Sequence, residues 1–215
     1  MDTSLRITEI FYSLQGESSF AGLPTVFVRL TGCPLRCVYC DTAYAFEGGE
    51  RRSLIEIVEE VVGYSTPYVT VTGGEPLAQP EVKPLMTALL DRGKTITLET
   101  SGAMSIEGID SRVIKILDLK TPSSGEMHRN LESNIEFLSS GDEVKFVIGD
   151  RADFDWAVSK IIQFNLQERV SDCLMSPVYG QLAPSQLADW VLQDNVPARL
   201  QIQLHKLLWG DRQGV

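Results

Sequence analysis

The sequence has no run of ~18 consecutive apolar residues, which excludes a membrane-spanning helix. Its opening Met1-Asp2-Thr3-Ser4-Leu5-Arg6 lacks the basic-then-apolar order of a secretory signal, so a cytoplasmic, reducing compartment is expected. Positive charge is scarce: 19 Lys and Arg stand against 29 Asp and Glu, a formal net charge of −10. Such a surface repels phosphate backbones, which argues against nucleic acid and for a small-molecule ligand. No repeat, low-complexity tract or linker interrupts the 215 residues, and residues 1–215 read as a single soluble domain large enough for a sizeable core.

Cysteine is scarce too, at four residues, yet three of them are crowded together as Cys33, Cys37 and Cys40. A cubane iron–sulfur cluster takes four ligands, so three thiolates leave one iron open to something that is not protein. Zinc would need a fourth donor to close a tetrahedral site. The remaining Cys173 is remote in sequence and no second Cys-x-x-Cys exists. The spacing therefore favours a three-thiolate cluster nest. A zinc-stabilised interaction module, with Cys173 or a histidine as fourth ligand, is the non-enzymatic rival.

In chain order, residues 5–17 alternate apolar positions and end in Gln15-Gly16-Glu17, a short strand or hairpin followed by a turn. Residues 25–30 are β-branched and aromatic, a buried strand with Arg29 as its odd member. A charge there needs a partner, either a structural carboxylate or a ligand's. Ser53-Leu54-Ile55-Glu56 opens a helix with a capping box. Strands are expected over 67–72, 94–99, 113–119, 143–148, 172–175 and 199–204. Helices are expected over 84–92, 131–138 and 154–164, the last with Trp156, Ile161 and Ile162 facing the core, and from Pro184 onward. His205 read alone is an ordinary structural histidine, His128 a solvated one, and Cys173 a small buried apolar residue.

Strand and helix in alternation imply a parallel sheet bent into a barrel, and a full eight-fold barrel typically takes ~250 residues. An incomplete TIM-type β/α barrel with an N-terminal extension is the expected α/β fold. The cysteines, Gly73-Gly74-Glu75, Glu99-Thr100-Ser101, Lys120, Ser176-Pro177 and His205 all follow predicted strand ends, which share one face of such a barrel.

Cys33, Cys37, Tyr39 and Cys40 resemble the signature of the radical S-adenosylmethionine enzymes. With Leu14-Gln15-Gly16-Glu17, Arg29, Asp41-Thr42, Thr72-Gly73-Gly74-Glu75-Pro76 and Gln203-Leu204-His205-Lys206, the sequence is similar to the 7-carboxy-7-deazaguanine synthases over nearly its whole length. The resemblance implies a 4Fe–4S cluster on Cys33, Cys37 and Cys40, and S-adenosylmethionine cleaved to methionine and a 5′-deoxyadenosyl radical. The substrate it implies is 6-carboxy-5,6,7,8-tetrahydropterin, converted to 7-carboxy-7-deazaguanine with loss of ammonia in queuosine and 7-deazapurine biosynthesis.

Residue by residue, the resemblance assigns S-adenosylmethionine contacts to Tyr39, Asp41, Gly73, Gly74, Glu75, Glu99, Ser101, Asp118, Leu119, Lys120, Ser176, Pro177, Val178 and Tyr179. Substrate contacts fall on Leu14, Gln15, Gly16, Glu17, Arg29, Thr72 and His205, with Val215 closing over the substrate. Thr42 matches a Mg²⁺ ligand. An electron donor such as flavodoxin and a homodimer are also implied. The enzymatic rival is an activase that makes a glycyl radical on a partner protein, sharing the cluster and barrel without needing Arg29 and Gln15-Gly16-Glu17.

Overall fold

The structure, a computed structural model, describes residues 3–210 and 212–215. Nine strands form one sheet: β1 (Ser4–Leu14), β2 (Pro24–Leu30), β3 (Glu50–Ser53), β4 (Tyr68–Gly73), β5 (Thr95–Thr100), β6 (Ile114–Asp118), β7 (Glu143–Ile148), β8 (Asp172–Pro177) and β9 (Arg199–Leu200). Their order is β3-β1-β2-β4-β5-β6-β7-β8-β9. From β2 to β9 every neighbouring pair is parallel, while β1 runs antiparallel to both β2 and β3. The parallel part is the expected unclosed barrel, and β1 with β3 is its N-terminal extension.

The strands sort their residues by the two-residue period of the pleat. Val26, Val28 and Leu30 of β2, Val69 and Val71 of β4, Ile96 and Leu98 of β5, and Val144, Phe146 and Ile148 of β7 belong to the apolar core. The alternate positions Phe27, Arg29, Thr72, Glu99, Asp118 and Lys145 face a central cavity. Three of the helices that cover the outer face are α1 (Leu54–Val62), α2 (Val82–Asp91) and α3 (Arg151–Gln163). The capping box forms as expected: Ser53 Oγ accepts from Glu56 N and Glu56 accepts from Ser53 N, worth about 1 kcal/mol. Helix α2 stops at Gly93, whose φ of +79° only glycine adopts cheaply.

Four expectations change. Ile161 is buried but Ile162 is exposed, because α3 turns only the narrow stripe of Phe154, Ala157 and Ile161 to the core and the 100° step carries Ile162 off it. Residues 131–138 form a 3₁₀ segment, Glu132–Phe137, rather than an α-helix. Strand β9 keeps only two residues, after which Gln201 turns inward and a helix, α6 (Leu204–Trp209), begins. Strand β3 was not expected, since Glu50-Arg51-Arg52 has the charge of an exposed edge rather than a core. Two further helices, α4 (Leu166–Arg169) and α5 (Pro184–Gln193), complete the shell, with Pro184 in the first turn as read from the sequence.

The loop between β1 and β2 straps the interior. Gln15 Nε2 donates to Thr70 Oγ1 of β4 at 2.8 Å, and Ser19 N donates to Glu143 of β7 at 2.9 Å. Ser18 exchanges two hydrogen bonds with Gln201, and Leu204 N donates to Gly16 O at 3.0 Å.

Candidate active site

The cavity measures about 880 Å³ and opens at the carboxyl ends of the parallel strands. Cys33, Cys37 and Cys40 sit on its rim, half-buried and without a disulfide. Their loop is held from several sides. Arg36 Nη1 donates to Cys33 O at 2.8 Å and Leu35 O at 2.7 Å, and Arg36 N donates to Glu126 at 2.7 Å. Leu35 is buried and anchors the loop from beneath. The Gly73-Gly74 turn packs directly on this backbone: a Cβ on Gly74 would stand 2.3 Å from Gly32 O and 2.8 Å from Cys33 Cβ. Only glycine lets β4 end so close to the thiols.

Burial pushes all three thiols up, Cys37 to about 11, with the Lys120 ammonium working the other way. Metal must displace those protons, as it does wherever thiolates bind iron. Among the described residues no three His, Cys, Asp or Glu side chains close around one point as a single ion requires. Cys173 lies in the apolar core of β8, away from the cavity, so it is no fourth zinc ligand. Three thiols around one rim suit a cluster, where each sulfur meets its own iron.

Below the cysteines, Lys120 Nζ pairs with Asp118 Oδ2 at 2.7 Å, and Asp118 Oδ1 is buried without a partner. Burial opposes the charge on Lys120, but Asp118 and the Cys37 side chain outweigh it and hold its pKa up. Burial also drives the Tyr39 phenol up to about 12; its hydroxyl lies 3.4 Å from Thr121 Oγ1. Asp41, Gly73, Gly74, Glu99, Ser101, Val178 and Tyr179 join the same wall.

Four residues expected on that wall stand behind it. Glu75 is fully buried, its carboxylate accepting from Leu77 N, Thr100 Oγ1 and Ser101 N and Oγ, so it braces the strand ends instead of facing the cavity. Leu119 points into the core. Ser176 and Pro177 are buried in β8, and Val178 and Tyr179 carry the wall there.

The far end of the cavity is charged. Arg29 Nε donates to Glu9 Oε1 at 2.7 Å, and Tyr44 Oη donates to the same oxygen. The guanidinium lies 5.7 Å from the Phe11 ring and 5.8 Å from the Tyr44 ring. Among the described residues no hydrogen bond engages its Nη1 or Nη2, so the structural partner is realised at one edge of a side chain that lines the cavity. Glu17 Oε2 is ion-paired with Lys145, while Glu17 Oε1 is buried and unpartnered. Thr72 Oγ1 donates to Glu99 Oε2 at 3.0 Å. Burial, with Glu17 close by, raises the pKa of Glu99.

His205 reaches this end from α6, its Nδ1 only 2.3 Å from where a Cβ on Gly16 would lie. Burial lowers its pKa below the ordinary 6.5, so the ring is neutral at pH 7. Leu14 and Val215 also touch the cavity, and Thr42 Oγ1 donates to Asp41 Oδ1 at 2.8 Å beside the cysteines. Sequence reading missed Glu9, Tyr44 and Lys145. The signal for Lys145 was a charge inside the apolar strand 143–148, the same clue that marked Arg29.

Comparison with known proteins agrees with this geometry. Residues 27–120 match the Radical SAM superfamily. The chain is 45% identical to 7-carboxy-7-deazaguanine synthase of Chlorobaculum tepidum, over 100% of this chain and 99% of that protein. It is 42% identical to the Koribacter versatilis protein of the same name, over 95% and 97%. The crystal structure of QueE from Escherichia coli, 24% identical, shares the fold with a TM-score of 0.77 over 94% of this chain and 95% of that one. A barrel with a three-thiol rim, matched end to end by such relatives, belongs to the 7-carboxy-7-deazaguanine synthase family of radical S-adenosylmethionine enzymes.

Proposed function

We propose that this enzyme converts 6-carboxy-5,6,7,8-tetrahydropterin to 7-carboxy-7-deazaguanine with loss of ammonia. The observation that carries the substrate is the unpaired polarity at the far end of the cavity. The free Nη edge of Arg29 suits a carboxylate, and the orphan Oε1 of Glu17 suits the N–H edge of a pterin. Neutral His205, Gln15 and Thr72 complete a donor–acceptor frame around that ring.

When bound, the 4Fe–4S cluster on Cys33, Cys37 and Cys40 supplies the electron that turns S-adenosylmethionine into methionine and a 5′-deoxyadenosyl radical. The chain's own contribution is placement. Gly73 and Gly74 let a ligand approach backbone next to the thiols, while Asp118, with one oxygen unpaired, accepts from a polar group such as a ribose hydroxyl. Tyr39, Val178 and Tyr179 supply flat apolar surface that keeps water from a reactive radical. Thr42, held by Asp41, offers a hydroxyl for Mg²⁺, a site that substrate oxygens must complete. A one-electron donor such as flavodoxin and a homodimeric, cytoplasmic state belong to this reading. Among the described residues no helix is long and apolar enough to cross a membrane.

The test is turnover of the tetrahydropterin by the anaerobically reconstituted protein with S-adenosylmethionine and a chemical reductant. The deazaguanine is the expected product. Cleavage of S-adenosylmethionine without that product would overturn the substrate and favour the activase.

A further inference from the structure

Among the described residues, Lys145 is a buried cation at the pterin end that the proposed reaction has not used. It sits in the middle of β7, 9% exposed, where its neighbours Val144 and Phe146 point into the core and its own side chain points into the cavity. A buried ammonium is costly unless paired, and Lys145 has one direct partner, Glu17 Oε2. The pair is left incomplete on the carboxylate side, because Glu17 Oε1 is buried and accepts from nothing. Glu17 lines the cavity, so its unsatisfied oxygen stands where a ligand's donor can reach it.

We infer that Lys145 is a positioning residue for the substrate's heterocycle: it clamps one oxygen of Glu17, so that the other is presented to adjacent N–H donors. This rests on the pterin reading above and deepens it. Lys145 itself need not touch the ligand; it acts through Glu17. Among the described residues the cation paired with Glu17 is Lys145; Arg29, which lines the same cavity, is ion-paired with Glu9. Without the lysine, Glu17 Oε2 loses its donor and the carboxylate is free to turn, so Oε1 is no longer held in place for a ligand.

The experiment measures anaerobic binding of the tetrahydropterin to the reconstituted enzyme, with S-adenosylmethionine present, for Lys145→Met, Glu17→Gln and the double variant. Lys145→Met is expected to weaken binding roughly 10- to 100-fold, the range for loss of a charge-assisted hydrogen bond. Lys145→Arg, which keeps a cation for Glu17 Oε2, should recover most of the lost affinity, a rescue by charge that a lysine serving only to fill space would not show. In the Glu17→Gln background, Lys145→Met should add little, within about 2-fold, because both act through one contact. Losses that multiply, or a Lys145→Met enzyme that binds as the parent does, overturn the inference. Should Lys145→Met fail to fold, the double variant, which removes both buried charges together, carries the test: binding weaker than that of Glu17→Gln alone by more than 10-fold overturns it. If the parent enzyme binds no tetrahydropterin, it is the substrate reading that fails.

Discussion

Two buried lysines on neighbouring strands, Lys115 of β6 and Lys145 of β7, have opposite surroundings. Lys115 is 5% exposed and faces away from the cavity. Its partner Asp142 is saturated: it takes the Lys115 ammonium at 2.9 Å, the Lys115 amide at 2.7 Å, and Ser139 N and Oγ at 2.7 and 2.8 Å. Lys145 is paired with Glu17, whose second oxygen is empty-handed. Burial and charge are alike in the two; completeness is not. A closed pair answers to the fold, and an open pair that lines the cavity has an acceptor to spare.

The largest effect that would separate site from fold is at the cysteines. Cys37→Ala should abolish cluster and turnover while leaving the melting temperature of the apo-protein nearly unchanged, read by iron content, the brown absorption of the cluster and calorimetry. Retained turnover would contradict the ligand assignment. Next comes the closed pair itself: Asp142→Ala strands a buried lysine and should cost about 3–5 kcal/mol of unfolding free energy in urea, with substrate affinity of the folded fraction intact. An unchanged urea midpoint would erase the contrast between the two lysines.

Arg29→Ala should reduce turnover roughly 10- to 100-fold through the Michaelis constant, about 1.5–3 kcal/mol, with cluster assembly and binding of S-adenosylmethionine retained. A normal Michaelis constant would leave Glu9 as the only partner of that guanidinium. The smallest effect concerns Glu99. Its pKa is raised in the folded state, so its contribution to stability is full below the ordinary 4.5 and is lost as pH rises through the folded value. Glu99→Gln should therefore raise the melting temperature modestly at pH 7 and not at pH 4. A gain at pH 4 as large as that at pH 7 would rule out ionisation as the cause.

What could be read from the sequence was whatever a local rule decides. Strand β7 was placed to the residue because its apolar run is uninterrupted but for Lys145, and α1 because its cap is a four-residue signal. The cysteine rim followed from spacing alone. Where long-range packing decides, reading failed. Residues 201–204 look like strand by composition, yet Gln201 is hydrogen-bonded to Ser18 and α6 begins at Leu204, just after Gln203. Glu75 follows two glycines in a turn read as ligand-binding, and nothing local says that Thr100 and Ser101 will claim both its oxygens. Glu9 and Tyr44 became visible as partners of Arg29 only once β1, β2 and the segment after the cysteines were side by side.

The strap over residues 15–23 joins positions 183 apart, Ser18 to Gln201, and Gly16 makes room for His205. A growing chain therefore displays its three sulfurs long before it owns a pocket. During synthesis the cysteine rim precedes α6 by some hundred and sixty residues, roughly ten to thirty seconds at ordinary elongation rates, so the wall that His205 gives the cavity is among the last to be made.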